Sequence, residues 1–192
     1  MRKVTFGVAN SLDNYIARKD HGVDWILWGE EAASGMTEFW QKIDTVVMGR
    51  KTYEPTLKSG RPWPSYPGVK NYVFSRRLRE SPHKNVQIIS EGAAEFIRKL
   101  KREKGKGILV MGGGELAKSL FEANLIDEIG LSIQPVLLGS GIPLFLPMER
   151  QVDLQLQECK AFKNGWVLVE YRVENGGSPT LASTRPPQKR GG

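Results

Sequence analysis

The sequence predicts an α/β fold with a mixed, mostly parallel sheet, and two patterns support this prediction. Over most of the chain, short apolar runs typical of buried strands alternate with stretches in which apolar residues recur at helical spacing. Connections of this kind favour parallel strands joined by right-handed crossovers. Toward the C-terminus, three β-rich runs follow one another with no helix between them, and such runs pair antiparallel.

The first part of the chain contains two predicted strands with a helix between them. The apolar run from Lys3 to Ala9 is typical of a buried strand. The run from Thr45 to Met48 predicts a second short strand, which stops at Gly49. The stretch 30–43 between them is predicted to be helical. Its apolar residues recur at spacings of three and four, namely at Ala33, Met36, Trp40 and Ile43.

The remaining elements continue this alternation and then change to strands alone. Three strands are predicted in the middle of the chain, at Asn71 to Phe74, Val86 to Ile89 and Gly107 to Met111. A helix between the last two has one apolar face, formed by Ala93, Phe96, Ile97 and Leu100. A further helix follows Gly114, with Leu116, Leu120 and Phe121 on its apolar face. The C-terminal strands are predicted at Asp127 to Leu138, Val152 to Cys159 and Trp166 to Val173.

The chain of 192 residues is predicted to form one domain, residues 1–174, followed by a flexible tail, residues 175–192. A domain of this size buries roughly 70% of the surface that its unfolded chain exposes, so a core can stabilise it without staples. The tail contains four Gly, three Pro and no aromatic residue. It therefore cannot bury enough apolar area to offset the entropy of ordering.

Cysteine content and charge limit the class of protein. Cys159 is the single cysteine, which excludes an intramolecular disulfide and a Cys-rich zinc site and favours a reducing compartment. The apolar run from Val4 to Ala9 is too short for a signal peptide or a membrane span, so we expect a cytoplasmic protein that contacts no membrane. No metal site is predicted.

The net charge of +7 suits an anionic ligand as well as a nucleic acid. A nucleic-acid binder would rest on this charge and the basic tail alone. The sequence has neither a known nucleic-acid motif nor aromatic residues interleaved with the basic ones. The sequence therefore favours a small anionic ligand over a nucleic acid.

The clearest candidate site is a predicted buried strand that runs into Gly112, Gly113 and Gly114 and then into a helix. Free N–H groups at a helix start favour a pyrophosphate, and glycines let it approach the backbone. The spacing of Gly112, Gly114 and Ala117 matches the dinucleotide fingerprint G-x-G-x-x-G/A, but the acidic residue expected about 20 positions later is missing. This argues against an NAD-type Rossmann domain. The alternative is that the glycines only form a tight turn.

Two further strand ends carry cations and hydroxyls. Gly49 is followed directly by Arg50, Lys51 and Thr52, and a later strand is followed by Ser75, Arg76 and Arg77. Arginine binds phosphate in a bidentate manner, so Ser75 with Arg76 suits a ribose 2′-phosphate. Each cluster alone can equally be surface charge. Three clusters at the carboxyl ends of strands, where open α/β sheets bind ligands, instead indicate one phosphorylated dinucleotide.

Several segments resemble the dihydrofolate reductase superfamily. They are GRKTYE at 49–54, YVFSR at 72–76 and VMGGGELAKSLFEANLIDEI at 110–129, in this order. The closer resemblance is to its riboflavin-biosynthesis reductase branch, the C-terminal domain of the bacterial bifunctional deaminase-reductase, in a stand-alone form. It extends to VANSLDNYIA at 8–17 and covers residues 1 to about 173.

The resemblance implies a dihydrofolate-reductase-like three-layer fold with a C-terminal antiparallel hairpin, commonly assembled as a homodimer. It implies an NADPH-dependent reductase that transfers a hydride to a small pterin- or pyrimidine-like heterocycle. Carried over by position, the cofactor-binding residues are Val8, Ala9, Ile16, Gly49, Arg50, Lys51, Thr52, Ser75, Arg76, Gly112, Gly113, Gly114, Glu115 and Leu116. Among them, Val8, Ala9 and Ile16 would border the nicotinamide. The alternative is a non-catalytic nucleotide- or metabolite-binding protein of the same fold.

The sequence departs from the family at positions that matter for chemistry. Asn14 replaces a usual glycine, although Asn tolerates the left-handed conformation better than most residues. The carboxylate that dihydrofolate reductases place on their first helix has no match here, since Glu38 is only a neighbour. Gly112 stands where riboflavin-pathway reductases carry Glu. With one cysteine, the chain also lacks a zinc deaminase domain, and no catalytic residue can be assigned.

Four residues remain candidates for contact with the substrate: Ser11, Asp13, Trp25 and Glu38. Ser11 and Asp13 follow the first strand and would be polar contacts, Trp25 a flat wall, and Glu38 a proton relay. Each has an alternative interpretation. Ser11 and Asp13 are also typical turn formers, Trp25 can anchor a loop in the core, and Glu38 can be a solvated helix residue. His21 and His83 lie in loop-like composition and are assigned no role.

Overall fold

The computed structural model describes residues 1–27, 37, 39–59 and 68–174 of the chain. The predicted tail 175–192, the candidate Glu38 and most of the predicted helix 30–43 lie outside these residues. Where this helix is described it includes residues 39–41, and Ile43 already begins the next strand. The helix therefore ends earlier than its apolar spacing predicts.

The described residues form ten strands and three complete helices. In chain order they are β1 (Val4–Ser11), β2 (Tyr15–Ala17), β3 (Ile43–Gly49), α1 (Arg50–Ser59), β4 (Lys70–Phe74), β5 (Val86–Ile89), α2 (Ala93–Arg102), β6 (Gly107–Met111), α3 (Gly114–Glu122), β7 (Glu128–Gln134), β8 (Ile142–Pro143), β9 (Asp153–Ala161) and β10 (Val167–Glu174).

Eight strands form one sheet in the order β5-β4-β3-β6-β1-β7-β10-β9, and β2 pairs with β8 beside it. From β5 to β7 every neighbouring pair is parallel. β10 runs antiparallel to β7, and β9 antiparallel to β10. The predicted α/β fold class, with a mostly parallel sheet and a C-terminal antiparallel hairpin, is confirmed.

Helices cover both faces of this sheet because neighbouring residues of its central strands point to opposite sides. In β3, Val47 belongs to the core that includes α2 and α3, whereas Val46 and Met48 belong to the core on the α1 side. β6 divides in the same way: Val110 contributes to the first core and Leu109 to the second. The chain thus has three layers, as predicted.

The predicted strand from Asp127 to Leu138 is shorter in the structure and ends at Gln134. The next residue is Pro135, which has no backbone N–H to continue the sheet. β7 also pairs in parallel with β1 on one side, so only its other side receives the antiparallel β10. This position of β7 joins the parallel and antiparallel parts of the sheet.

Candidate functional site

A cavity of about 1190 Å³ lies along the carboxyl ends of β1, β3, β4 and β6. Parallel strands bring these ends to one edge of the sheet, as the crossover connections require. Every residue that the sequence suggests for cofactor binding lines this cavity: Val8, Ala9, Ile16, Gly49, Arg50, Lys51, Thr52, Ser75, Arg76, Gly112, Gly113, Gly114, Glu115 and Leu116. The three strand ends therefore face a common space.

The ends of β3 and β6 are in direct contact. A Cβ atom added to Gly112 would lie 3.0 Å from Oγ1 and 3.2 Å from Cγ2 of Thr52, at the start of α1. A Cβ on Gly113 would lie 3.6 Å from the same Oγ1. Both glycines have positive φ, 59° and 74°. Glycine is thus needed here both for its backbone conformation and for the close approach of the two loops.

The N-terminus of α3 is open toward the cavity. Its cap residue Gly113 is in the left-handed conformation and offers no side-chain cap. The N–H groups of Gly114 and Glu115 find no acceptor among the described residues. Unpaired N–H groups at a helix start bind anions, because the helix dipole adds to the direct hydrogen bonds. The arrangement can hold a phosphate oxygen.

The end of β4 is held by its serine. The Oγ atom of Ser75 accepts hydrogen bonds from the backbone N–H groups of Arg77 at 3.1 Å and Leu78 at 2.9 Å, and Ser75 is buried. This turn presents Arg76 and Arg77 at the cavity, where both side chains are exposed. Arg77 belongs to the cluster that the sequence singled out but not to the residues assigned to the cofactor, and it also lines the cavity.

The cations around the cavity differ in their partners. Arg50 forms an ion pair with Glu54, and Lys51 lies 3.3 Å from Glu115, which links the starts of α1 and α3. Within the described part of the chain, Arg76 and Arg77 form no ion pair. These two guanidinium groups are therefore available to an anionic ligand without the loss of an existing partner.

The other half of the cavity is formed by β1, β7 and β10, and sequence reasoning missed most of it. Alternate residues of β10 and the position before it, namely Trp166, Leu168 and Glu170, line this half together with Ser132 and Gln134 of β7. Burial raises the pKa of the Glu170 carboxyl, and the neighbouring Glu158 raises it further. The period-2 alternation of these residues was the available sequence signal, but it does not show which face of a strand borders a cavity.

Ser11 and Asp13 do not line the cavity but build the turn after β1. The hydroxyl of Ser11 donates to Asp13 Oδ1 at 2.6 Å, and Asp13 accepts the backbone N–H groups of Leu138 at 3.0 Å and Gly139 at 2.7 Å. These hydrogen bonds lower the pKa of the Asp13 carboxyl. Asn14 has φ 62°, so it does take the left-handed conformation expected at the position of the usual glycine. The hydrogen bonds of the Ser11 hydroxyl and the Asp13 carboxylate therefore agree with their interpretation as turn formers.

Trp25 is also outside the cavity lining, and it is 8% exposed among the buried apolar residues. His21, which was assigned no role, lies at the cavity with φ 69°. His83 instead contacts α1: its Nδ1 lies 2.5 Å from the hydroxyl oxygen of Tyr53. This contact ties the loop after β4 to the helix that follows β3.

The sequence is similar to one protein family and to two proteins of Bacillus subtilis. The sequence profile of the RibD C-terminal domain matches residues 2–168. The chain is 39% identical to the uncharacterized protein YwjB of Bacillus subtilis (strain 168) over 162 residues, which cover 84% of this chain and 92% of that one. It is 32% identical to the uncharacterized protein YyaP of the same organism, over 88% of this chain and 94% of that one.

Solved structures show the same fold. A candidate riboflavin biosynthesis protein from Shewanella sp. PV-4 is 27% identical to this chain, with a TM-score of 0.77, and covers 91% of this chain and 99% of its own. A deaminase/reductase from Thermotoga maritima is 18% identical, with a TM-score of 0.66, and the chain spans 56% of its length. Among the described residues, no helix has the length and apolar character needed to cross a bilayer.

Proposed function

The chain belongs to the RibD C-terminal domain family, and from this premise we propose that it is an NADPH-dependent reductase of a small pterin- or pyrimidine-like heterocycle. The observation that carries the proposal is that the ends of β3, β4 and β6, each with residues suited to a phosphate, line one cavity. The family and a solved deaminase/reductase of the same fold support the reductase class. The substrate stays open, because the relatives YwjB and YyaP are themselves uncharacterized.

The residues around the cavity fit a dinucleotide. Gly112 and Gly113 bring the backbone to a position that a side chain would fill, and the open start of α3 offers N–H groups beside them. These groups would hold the pyrophosphate, and Arg50, Lys51 and Thr52 on the adjoining helix would hold it from the other side.

The choice of NADPH over NADH rests on the end of β4. Arg76 and Arg77 are exposed at the cavity and have no ion-pair partner among the described residues. A ribose 2′-phosphate would give them one, through charge-assisted hydrogen bonds of the bidentate kind. NADH lacks this phosphate and would leave both guanidinium groups in water.

The chemistry divides between the cofactor and the chain. A reduced nicotinamide, when bound, supplies a hydride to the acceptor. Val8, Ala9 and Ile16 would border the ring and exclude water from one side of it. The acceptor would lie in the half of the cavity formed by β7 and β10, where the lining contains Glu170 and also Gly130, Ser132, Gln134 and Leu168.

A titration of intrinsic or cofactor fluorescence with NADPH and NADH tests the cofactor assignment. Arg76→Ala is expected to weaken NADPH binding by about 1–3 kcal/mol, roughly five- to 150-fold, and to leave NADH binding unchanged. Arg79→Ala is the matched control, because Arg79 is exposed in the same loop but does not line the cavity. Equal affinity of the wild type for both cofactors, or no binding of either, would refute the assignment.

Turnover separates the reductase from a protein that only binds nucleotides. Single-turnover oxidation of bound NADPH, followed at its absorbance band with a panel of pterins and aminopyrimidines, is expected to show acceptor-dependent decay. Binding of NADPH without decay under any acceptor would instead favour the non-catalytic alternative.

The proposal includes assembly as a homodimer. β9 is the last strand of the sheet, and Leu154 and Leu156 on it are 42% and 53% exposed. An edge strand with exposed apolar side chains is a natural surface for self-association. Sedimentation equilibrium is expected to give twice the chain mass, and a monomer at all concentrations would contradict this part of the proposal.

A further inference from the structure

One part of the cavity floor has no side chain. In the sheet, Gly130 of β7 pairs with Gly7 of β1 on one side and with Glu170 of β10 on the other. A Cβ atom added to Gly130 would approach no atom more closely than Thr5 Cγ2, at 4.0 Å. The backbone of β7 is therefore bare at this point, and Gly7, Gly130 and Glu170 all line the cavity.

The bare backbone has a wall on each side. Above Gly7 the space is filled, since an added Cβ would lie 2.6 Å from Leu109 Cδ1 and 3.8 Å from Phe39 Cζ. The opposite wall is the side chain of Glu170. β1 and β10 are two strand spacings apart, or about 10 Å. This width suits one flat ring that lies on the peptide planes with its edge toward Glu170.

The position of the Glu170 carboxylate lowers the stability of the folded protein. Glu170 lies directly opposite Glu158 on the neighbouring antiparallel strand, and like charges in such a pair destabilise a sheet. Burial and Glu158 both raise the pKa of Glu170, and only Lys42 opposes them. Glu170 receives no hydrogen bond from any described residue. A half-buried carboxylate without a donor is suited to a ligand that brings its own.

We propose that the space above Gly130, between Phe39 and Glu170, is the acceptor subsite of the reductase, and that it takes a flat heterocycle whose amino or ring N–H groups face the Glu170 carboxylate. This inference rests on the proposed function, because it treats the ligand as the acceptor. It adds the residue that selects that ligand, Glu170, and the strand position that leaves room for it, Gly130. A neutral ring without N–H donors would leave the carboxylate unpaired and bind weakly.

Calorimetric titration of the NADPH-loaded protein with 2,4-diaminopyrimidine tests the subsite, and 1,3-dimethyluracil serves as a ring without N–H donors. The wild type is expected to bind the first at least tenfold more tightly than the second. Glu170→Gln is expected to remove this preference. Glu158→Gln is the matched control, because this carboxylate is opposite Glu170 but outside the cavity lining, and it is expected to keep the affinity within threefold.

Gly130→Val fills the space above the strand and is expected to abolish binding of either ring while NADPH binds as in the wild type. Its midpoint of thermal unfolding is expected to be equal or higher, since valine favours strands more than glycine does. If Gly130→Val does not fold, Glu170→Gln and Gly130→Ala decide the question.

The inference is overturned if the wild type binds NADPH but not the diaminopyrimidine, or if Glu170→Gln and the Gly130 variant bind it as the wild type does. Failure of the proposed function gives a different result. In that case NADPH does not bind, whereas the diaminopyrimidine binds to the unloaded protein and is lost in both variants. The space above Gly130 would then be a binding site for a flat heterocycle in a protein that is not an NADPH-dependent reductase.

Discussion

The close approach of Gly112 to Thr52 allows a quantitative test of the packing between the turn after β6 and the start of α1. Gly112→Ala would place a methyl group 3.0 Å from Thr52 Oγ1 and 3.2 Å from its Cγ2, at a residue with φ 59°. Two separate costs follow. An L residue in the left-handed region costs about 1–2 kcal/mol, and insertion of a methyl group into a packed site costs about 1–3 kcal/mol.

Together these costs predict that Gly112→Ala lowers the free energy of unfolding by about 2–5 kcal/mol. For a domain of this size, the midpoint of thermal unfolding is expected to fall by roughly 4–20 °C. Circular dichroism during heating and urea unfolding both measure it. Gly49→Ala is the matched control, since a Cβ there would meet nothing within 4 Å, and we expect it to be neutral or slightly stabilising.

The two costs can be separated with Thr52→Ala, which removes both atoms that the new methyl group would meet. In that background Gly112→Ala is expected to cost only the backbone share, about 1–2 kcal/mol. An equal cost in both backgrounds would refute the contact argument, because the methyl group would then not press on Thr52. A cost near zero in the wild-type background would refute both arguments.

Two further substitutions test how the loops near the cavity are held. Tyr53→Phe removes a fully buried hydroxyl that lies 2.6 Å from Ser81 Oγ and 2.5 Å from His83 Nδ1, so we expect a loss of about 1–3 kcal/mol in urea unfolding; an unchanged midpoint would contradict the role of this hydroxyl. Asp13→Asn tests the turn after β1. Because hydrogen bonds lower the pKa of Asp13 below its ordinary value of 3.8, its ionised form stabilises the folded state above that pH, and the contribution is lost as the pH falls through the lowered pKa. The variant is therefore expected to melt below the wild type at pH 7 and to approach it below about pH 3.8; a constant difference across this range would show that the charge of Asp13 is not involved.

The layers of the fold were predictable because hydrophobic patterning acts locally. Val46, Val47 and Met48 follow one another with no polar residue between them, which is typical of a strand covered on both faces, and the structure divides these residues between two cores. The end of β7 was less predictable. Apolar residues continue to Leu138, but Pro135 has no backbone N–H and interrupts the hydrogen bonds of the sheet. The hydrophobic pattern alone does not show this missing N–H group.

The candidate site was predictable only where its residues follow one another in sequence. Gly112 to Gly114 with their helix form a local pattern, and the structure brings it to the cavity. Glu170 and Gly130 belong to different strands and become neighbours only through the pairing of β7 with β10. Ser11 and Asp13 show the opposite problem. A hydroxyl and a carboxylate two residues apart suit a ligand and a turn equally well, and the hydrogen bond between them shows that they form the turn.

The division of the sheet into two faces has a practical use in protein engineering. Ile97 and Leu100 of α2 pack beneath the sheet with Phe6 and Ile108, and none of these four side chains borders the cavity. A library aimed at heat tolerance can therefore vary these four positions, while a library aimed at new acceptors varies positions that line the cavity, such as Ser132 and Leu168. Because the two sets lie on opposite faces of the sheet, their gains are expected to combine almost additively when the best members of each are joined.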